Sequence, residues 1–172
     1  MAILKRDDAE IHYQEYGTGF PILLFAPGGM RSAAAMWLAP PGGPPRVWCN
    51  WIELLSRDYR VITMDQRNAG SSVGAIEADH GWDTYAADQL ALMDHLGIDR
   101  FNTLGGCIGS SFCLKMAEVA PDRVNAMVLQ NPVGLNPDNP AYFPDGFATW
   151  AEELRTGRPE LDPAAMKCFG RN

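Results

Sequence analysis

Residues 104–111 read LGGCIGSS, with a short apolar run before them and a helical spacing of apolar residues after them. A strand therefore passes through a sharp turn into a helix, and Cys107 stands at the tip of that turn. Gly105, Cys107 and Gly109 follow the spacing G-x-nucleophile-x-G. The outer residues have to be nearly free of side chain there, so that strand and helix can approach across a strained bend. The bend exposes the Cys107 sulfur. The helix starting behind it offers unpaired N–H groups and the positive end of its dipole, which favour negative charge nearby, and the thiolate is the reactive form of cysteine.

The rest of the chain supplies the sheet that such a turn needs. Residues 2–16 alternate loosely, with Ile11 and Tyr13 set against His12 and Gln14, and after GTG at 17–19 residues 21–26 are continuously apolar. Two or three strands are predicted, the last fully buried. PGG at 27–29 ends that strand, and the segment up to Val47 holds APPGGPP, too rich in Pro and Gly for regular structure. A short helix is predicted over 48–55, a buried strand over 59–64, then the polar turn DQRNAGSS and a loop to Gly81. Trp82, Ala86, Leu90, Met93 and Leu96 recur at helical spacing, Asp88 and His95 fall on the opposite side, and Gly97 stops the helix. Residues 101–104 lead into the turn at Cys107, and Phe112, Met116, Val119 and Ala120 give the helix after it an inner face. Residues 124–129 read as the next strand. From Asn131 the pattern changes to a Pro-rich loop with helical pieces around 147–154 and 163–169.

Strands alternating with helices imply an α/β fold, a mostly parallel sheet with helices on both faces and right-handed crossovers. Ligands bind such sheets beyond the C-terminal strand ends. PGGM at 27–30, DQRNAG at 65–70 and GGCIGS at 105–110 all follow strands and belong to that edge.

With 172 residues, 47% of them hydrophobic, the chain is large enough for one domain with a real core. Its net charge of −7 argues against nucleic acid or an anionic membrane as partner, which leaves a small-molecule substrate. No stretch reaches the roughly 18 apolar residues of a membrane span. MAILKRDDAEIHYQEYG carries charges where a signal peptide needs an apolar core, so a cytoplasmic location is expected. Cys49, Cys107, Cys113 and Cys168 form no C-x-x-C pair and no metal-ligand spacing with the three histidines, so neither metal nor disulfide is expected. GGCIGS also lacks the G-x-G-x-x-G spacing of a dinucleotide loop.

In chain order, the strand pair, the apolar strand ending in PGGM, the turn DQRNAGSS, the helix WDTYAADQLALMDHLGI and the turn GGCIGS resemble the α/β-hydrolase superfamily, over essentially the whole chain. The resemblance implies that Cys107 occupies the nucleophile position usually held by Ser. It implies an oxyanion hole made by the backbone N–H of Ile108 and one from the PGGM turn, that of Gly29 with Met30 as the alternative. Pro27 stands where many relatives have His. The family's order is nucleophile, acid, then His, yet no histidine follows Cys107, and Asn131 stands where some relatives carry the acid. Two further strands are implied, on the order of 60 residues of chain. Residues 1–135 are accordingly expected to form the N-terminal part of the core, and 136–172 the start of a truncated cap region. The expected activity is cofactor-free hydrolysis of an ester, thioester or lactone through an acyl-Cys107 intermediate.

Plainer readings stand beside these. A small buried thiol is the ordinary fate of a free cysteine, and Cys49, Cys113 and Cys168 are read so. His95 is read as solvated and His12 as part of the N-terminal strand pair. His80, in a loop leaving the C-terminal edge, is the one candidate for an improvised base. Asp65 and Arg67 are read as holding their turn through charge-assisted hydrogen bonds rather than as acid and substrate clamp. Trp37, with Trp48 and Trp51, is a candidate wall of an acyl pocket, and Arg31 a candidate partner for a substrate carboxylate; half-buried packing and a plain surface position are the alternatives. The rival to hydrolysis is a catalytically incomplete hydrolase-fold module that binds a small molecule or a partner chain. On either reading the strand at 124–129 is an exposed apolar edge that invites a homo-oligomer or a complementing chain.

Overall fold

The computed structural model describes residues 1–38 and 50–133. The expectations for 39–49, which include Trp48 and Cys49, and for the cap region at 136–172, which includes Cys168, lie outside these residues.

β3 (Phe20–Phe25) is apolar because both of its faces are covered. Ile22 and Leu24 enter one core with Trp37, Ile52, Val61 and Leu104, while Leu23 and Phe25 enter another with Ile62, Met64, Leu92, Met93 and Phe112. The two-residue period of a strand thus sorts one continuous run into two layers. β4 (Tyr59–Met64) and β6 (Phe101–Gly106) flank β3 in parallel, and β7 (Val124–Gln130) adds in parallel outside β6. β2 (Ala9–Tyr16) joins β4 antiparallel and carries β1 (Ala2–Lys5). The order is β1-β2-β4-β3-β6-β7. α1 (Trp51–Leu55) covers the first face, and α2 (Trp82–His95) with α3 (Gly109–Val119) covers the second. This is the α/β architecture expected, with its parallel ladders placed around the turn at Cys107.

Three details differ from the sequence reading. β5 (Val73–Gly74) pairs with β2 where only a loop is predicted; two residues are too few to show a period. The inner face of α3 is Gly109, Ser110, Phe112, Cys113 and Met116, with Val119 turned outward. The third concerns α2, whose Asp88 belongs to the interior rather than to the solvent side. Arg67 donates to both Asp88 oxygens, from Nε at 2.8 Å and Nη2 at 2.9 Å, and Arg6 adds Nη1 at 2.6 Å. The same Arg67 reaches Asp8 through Nη1 at 2.6 Å. Four charges therefore tie the β1–β2 turn and the loop after β4 to α2. Hydrogen bonding to Asp88, then to Asp8, holds Arg67 firmly protonated against its burial, and the Arg67 hydrogen bond lowers the pKa of Asp8. A buried carboxylate is tolerable only when partnered in this way.

Candidate active site

β6 ends at Gly106 and α3 begins at Gly109, so Cys107 and Ile108 make the whole turn. Cys107 takes φ 55, a left-handed conformation in which a residue with a side chain is strained. Its surroundings enforce it. A Cβ on Gly105 would collide with the Gly109 backbone, and one on Gly109 would collide with the Phe25 carbonyl. α3 can lie against β6 and β3 only because both positions are glycine. Cys107 N–H donates to the Gln130 carbonyl at the end of β7 (2.8 Å), and the buried Ser110 hydroxyl donates to the Gly105 carbonyl (3.0 Å). Behind the turn the Phe112 ring meets those of Trp82, Tyr85 and Phe25 at 4.9, 5.7 and 5.8 Å. Cys107 is exposed on this rigid mount.

The stretch after β3 arrives from the neighbouring strand, since Phe25 pairs with Gly105. Gly28 and Gly29 adopt φ 112 and 60, and Gly29–Arg31 and Ala34–Trp37 form single 3-10 turns where irregular chain is predicted. A side chain on Gly29 would touch Ile108 Cγ2 at 3.6 Å. The two stretches expected to give oxyanion donors therefore meet. Among the described residues neither the Gly29 nor the Ile108 N–H donates to a backbone carbonyl. Met30, the alternative donor, belongs to the same 3-10 turn.

The loop after β4 supports this stretch from the other side. Asp65, buried at the end of β4, accepts from Ala34 N–H through Oδ1 and from Ser71 N–H through Oδ2, each at 2.8 Å. Gln66 N–H donates to the Ser32 carbonyl (2.9 Å), and the Ser32 hydroxyl to the Ala26 carbonyl (2.6 Å). Asp65 thus holds turns together, as read from sequence, while Arg67 reaches beyond its own turn to α2.

Trp37, expected as a pocket wall, is 1% exposed in the core beneath Gly106 and offers no surface to a substrate. Arg31 is exposed and forms no ion pair among the described residues. β4 and β3 lie between the strand of His12 and β6. His95 is exposed on α2 with its ring against Tyr13. His80 Nδ1 accepts from the Glu77 N–H at 3.3 Å, within its own loop. Cys113 is buried in the core, which pushes its thiol up to about 11. Among the described residues no three of His, Cys, Asp and Glu gather into a group that could hold a metal ion, and no helix is long and apolar enough to cross a membrane.

A mostly parallel sheet layered with helices, carrying a left-handed cysteine at a glycine-flanked strand-to-helix turn, defines a protein of the α/β class. A model of the alpha/beta hydrolase fold matches residues 21–162, and the chain belongs to that family. It is 34% identical over 90 residues to a Pseudomonas syringae pv. syringae protein that carries the provisional name carbamate hydrolase RutD, covering 52% of this chain and 35% of the relative. It is 25% identical over 158 residues to the N-formylmaleamate deformylase of Pseudomonas putida, covering 92% of this chain and 54% of the relative. The solved meta-cleavage product hydrolase CumD of Pseudomonas fluorescens IP01 superposes with a TM-score of 0.60 at 26% identity, over 76% of this chain and 44% of that one. The chain thus spans about a third to a half of the length of these relatives.

Proposed function

We propose that this chain carries the nucleophile and the oxyanion hole of a hydrolase that opens an ester, thioester or lactone through an acyl-Cys107 intermediate. The observation that carries the reading is the exposed, strained Cys107 next to Ile108, whose side chain is what a Cβ on Gly29 would meet. Cys107 Sγ attacks the substrate carbonyl carbon, and the electron pair released to oxygen is held by the N–H groups of Ile108 and Gly29. Collapse of the tetrahedral species breaks the bond to the leaving alkoxide or thiolate and leaves an acyl-thioenzyme. Water then has to attack that thioester, freeing the acid and regenerating the thiol, and this step needs a general base. The provisional carbamate hydrolase name and the deformylase name of two relatives extend the acyl class to carbonyls bonded to nitrogen. Free Cys107 and Cys113 fit a reducing, cytoplasmic setting. Residues 1–135 are read as core, 136–172 as the start of a cap.

Incubation with p-nitrophenyl acetate followed by mass analysis of peptides tests the reading. A single acetyl group on Cys107, released with one burst of p-nitrophenolate and followed by slow turnover, is the expected result; Cys107→Ala abolishes the burst. Burst kinetics unaltered in Cys107→Ala would remove the nucleophile from the proposal. The rival reading, a binding module without turnover, draws on His12 in β2 and His95 against Tyr13 of that strand, which β4 and β3 separate from β6, and on His80 bonding within its own loop. It predicts no acyl-enzyme at all.

A further inference from the structure

Asp65 is 5% exposed, and the hydrogen bonds its carboxylate accepts come from Ala34 and Ser71 rather than from the turn at Cys107. Its two oxygens hold two different loops. Oδ1 takes the N–H of Ala34, the first residue of the second 3-10 turn after β3, and Oδ2 takes that of Ser71. Gly70 at φ 55 lies pressed against the same carboxylate, where a Cβ would collide with Oδ2. On the β3 side, Gln66 N–H to Ser32 O and Ser32 Oγ to Ala26 O close the chain between Ala26 and Ala34 into a loop. That loop contains Gly29, whose Cα faces Ile108. We propose that Asp65 is a positioning residue: its bond to Ala34 sets the loop that carries Gly29 and so fixes one oxyanion donor against Cys107. The inference rests on the acyl-transfer reading above, because only there does the position of the Gly29 N–H matter.

Two variants remove the bond from opposite ends. Asp65→Asn keeps the shape of the side chain, but the amide can accept from only one of the two N–H groups and turns an NH2 toward the other. Ala34→Pro deletes the donor and leaves the carboxylate and its bond to Ser71 intact. Ala33 before it is extended (φ −125, ψ 148), the conformation a following proline asks for, and the first helical position accepts proline.

Each variant is assayed in two reactions of the same sulfur. Acetylation by p-nitrophenyl acetate passes through an oxyanion. Alkylation by iodoacetamide displaces iodide at a saturated carbon and develops no negative oxygen. Loss of placement of one donor is expected to slow acetylation about 10- to 100-fold. Alkylation is expected to stay within about twofold of the parent, since the turn at Cys107 itself is untouched. Acetylation unchanged in both variants, or both reactions slowed together, overturns the proposal. If Asp65→Asn does not fold, Ala34→Pro decides by the same split. Amide hydrogen exchange separates failure of the inference from failure of the site. Should the parent chain not acetylate at Cys107, the acyl-transfer reading fails, and exchange at Ala34 still decides the role of Asp65. Faster exchange at Ala34 in Asp65→Asn, with residues 107–111 unchanged, supports it; unchanged exchange at Ala34 sinks it.

Discussion

Gly109 has the Phe25 carbonyl where its side chain would be. Backbone cannot move aside as a flexible side chain can, so Gly109→Ala is expected to cost about 3 kcal/mol or more and to lower the chemical-denaturation midpoint accordingly. Gly97→Ala is the informative contrast. It is also left-handed, at φ 66, but it faces open space, so only the conformational cost of about 1 kcal/mol applies. Cys113 makes a prediction of a different kind. Burial first of all lifts its thiol from 9.0 to about 11, against a lowering contribution from Thr103. Between these values the unfolded chain gives up a proton that the folded chain keeps, so stability is lost as pH rises from about 9 to about 11. The Cys113 contribution to that loss is of order 2 kcal/mol. Denaturation of the parent and of Cys113→Ala across this range checks it: the gap between them narrows as pH rises.

Among the elements, α2 departs most from what its sequence says. Ala86, Leu90 and Met93 do face the core, and the helix bounds are close to those read from periodicity. Asp88 and Gln89 are buried as well, because the turn after β4 and the β1–β2 turn close over that side and supply Arg67, Arg6 and the Gln66 amide as partners. Periodicity reports which residues are apolar and is silent on a charge that is buried with its counter-charge. Trp37 misled for the opposite reason: a tryptophan beside a functional loop reads equally well as a wall or as a foundation, and only its place under Gly106 decides. The turn at Cys107, the PGGM stretch and the burial of Cys113 were legible because glycine spacing and a fully apolar neighbourhood have few structural solutions. Asp88→Asn is expected to cost about 3–5 kcal/mol, as it leaves Arg67 buried without its full charge partner. Lys115→Met, which removes the bridges to the exposed Asp83 and Glu118, is expected to leave the melting temperature nearly unchanged. Thermal melts of the two variants check the contrast.

Across the whole molecule, the described sheet ends in β1 on one side and β7 on the other, and the two ends differ. β1 and the short β5 finish the β2 side, whereas β7 has β6 as its single neighbour among the described residues and exposes Met127 and Val128, the latter at 53%. An apolar edge of this kind recruits another strand. The 172-residue chain is expected to self-associate in light scattering, and Val128→Lys to shift it toward monomer; a sharp monomer from the parent chain would count against the edge as the cause. The order of the strands has a further effect. β3 lies at the centre of the sheet, yet its second neighbour is β6, with Ile22 opposite Asn102. On the ribosome, β1 to β4 emerge early and can pair with one another while one flank of β3 stays bare. The glycine fit against Phe25 and the strained cysteine above it have nothing to lean on until β6 is made. A nascent chain halted before Phe101 therefore carries five of the seven strands and no reactive centre, and the centre is complete only when β7 follows, since the Cys107 N–H takes the Gln130 carbonyl as its partner.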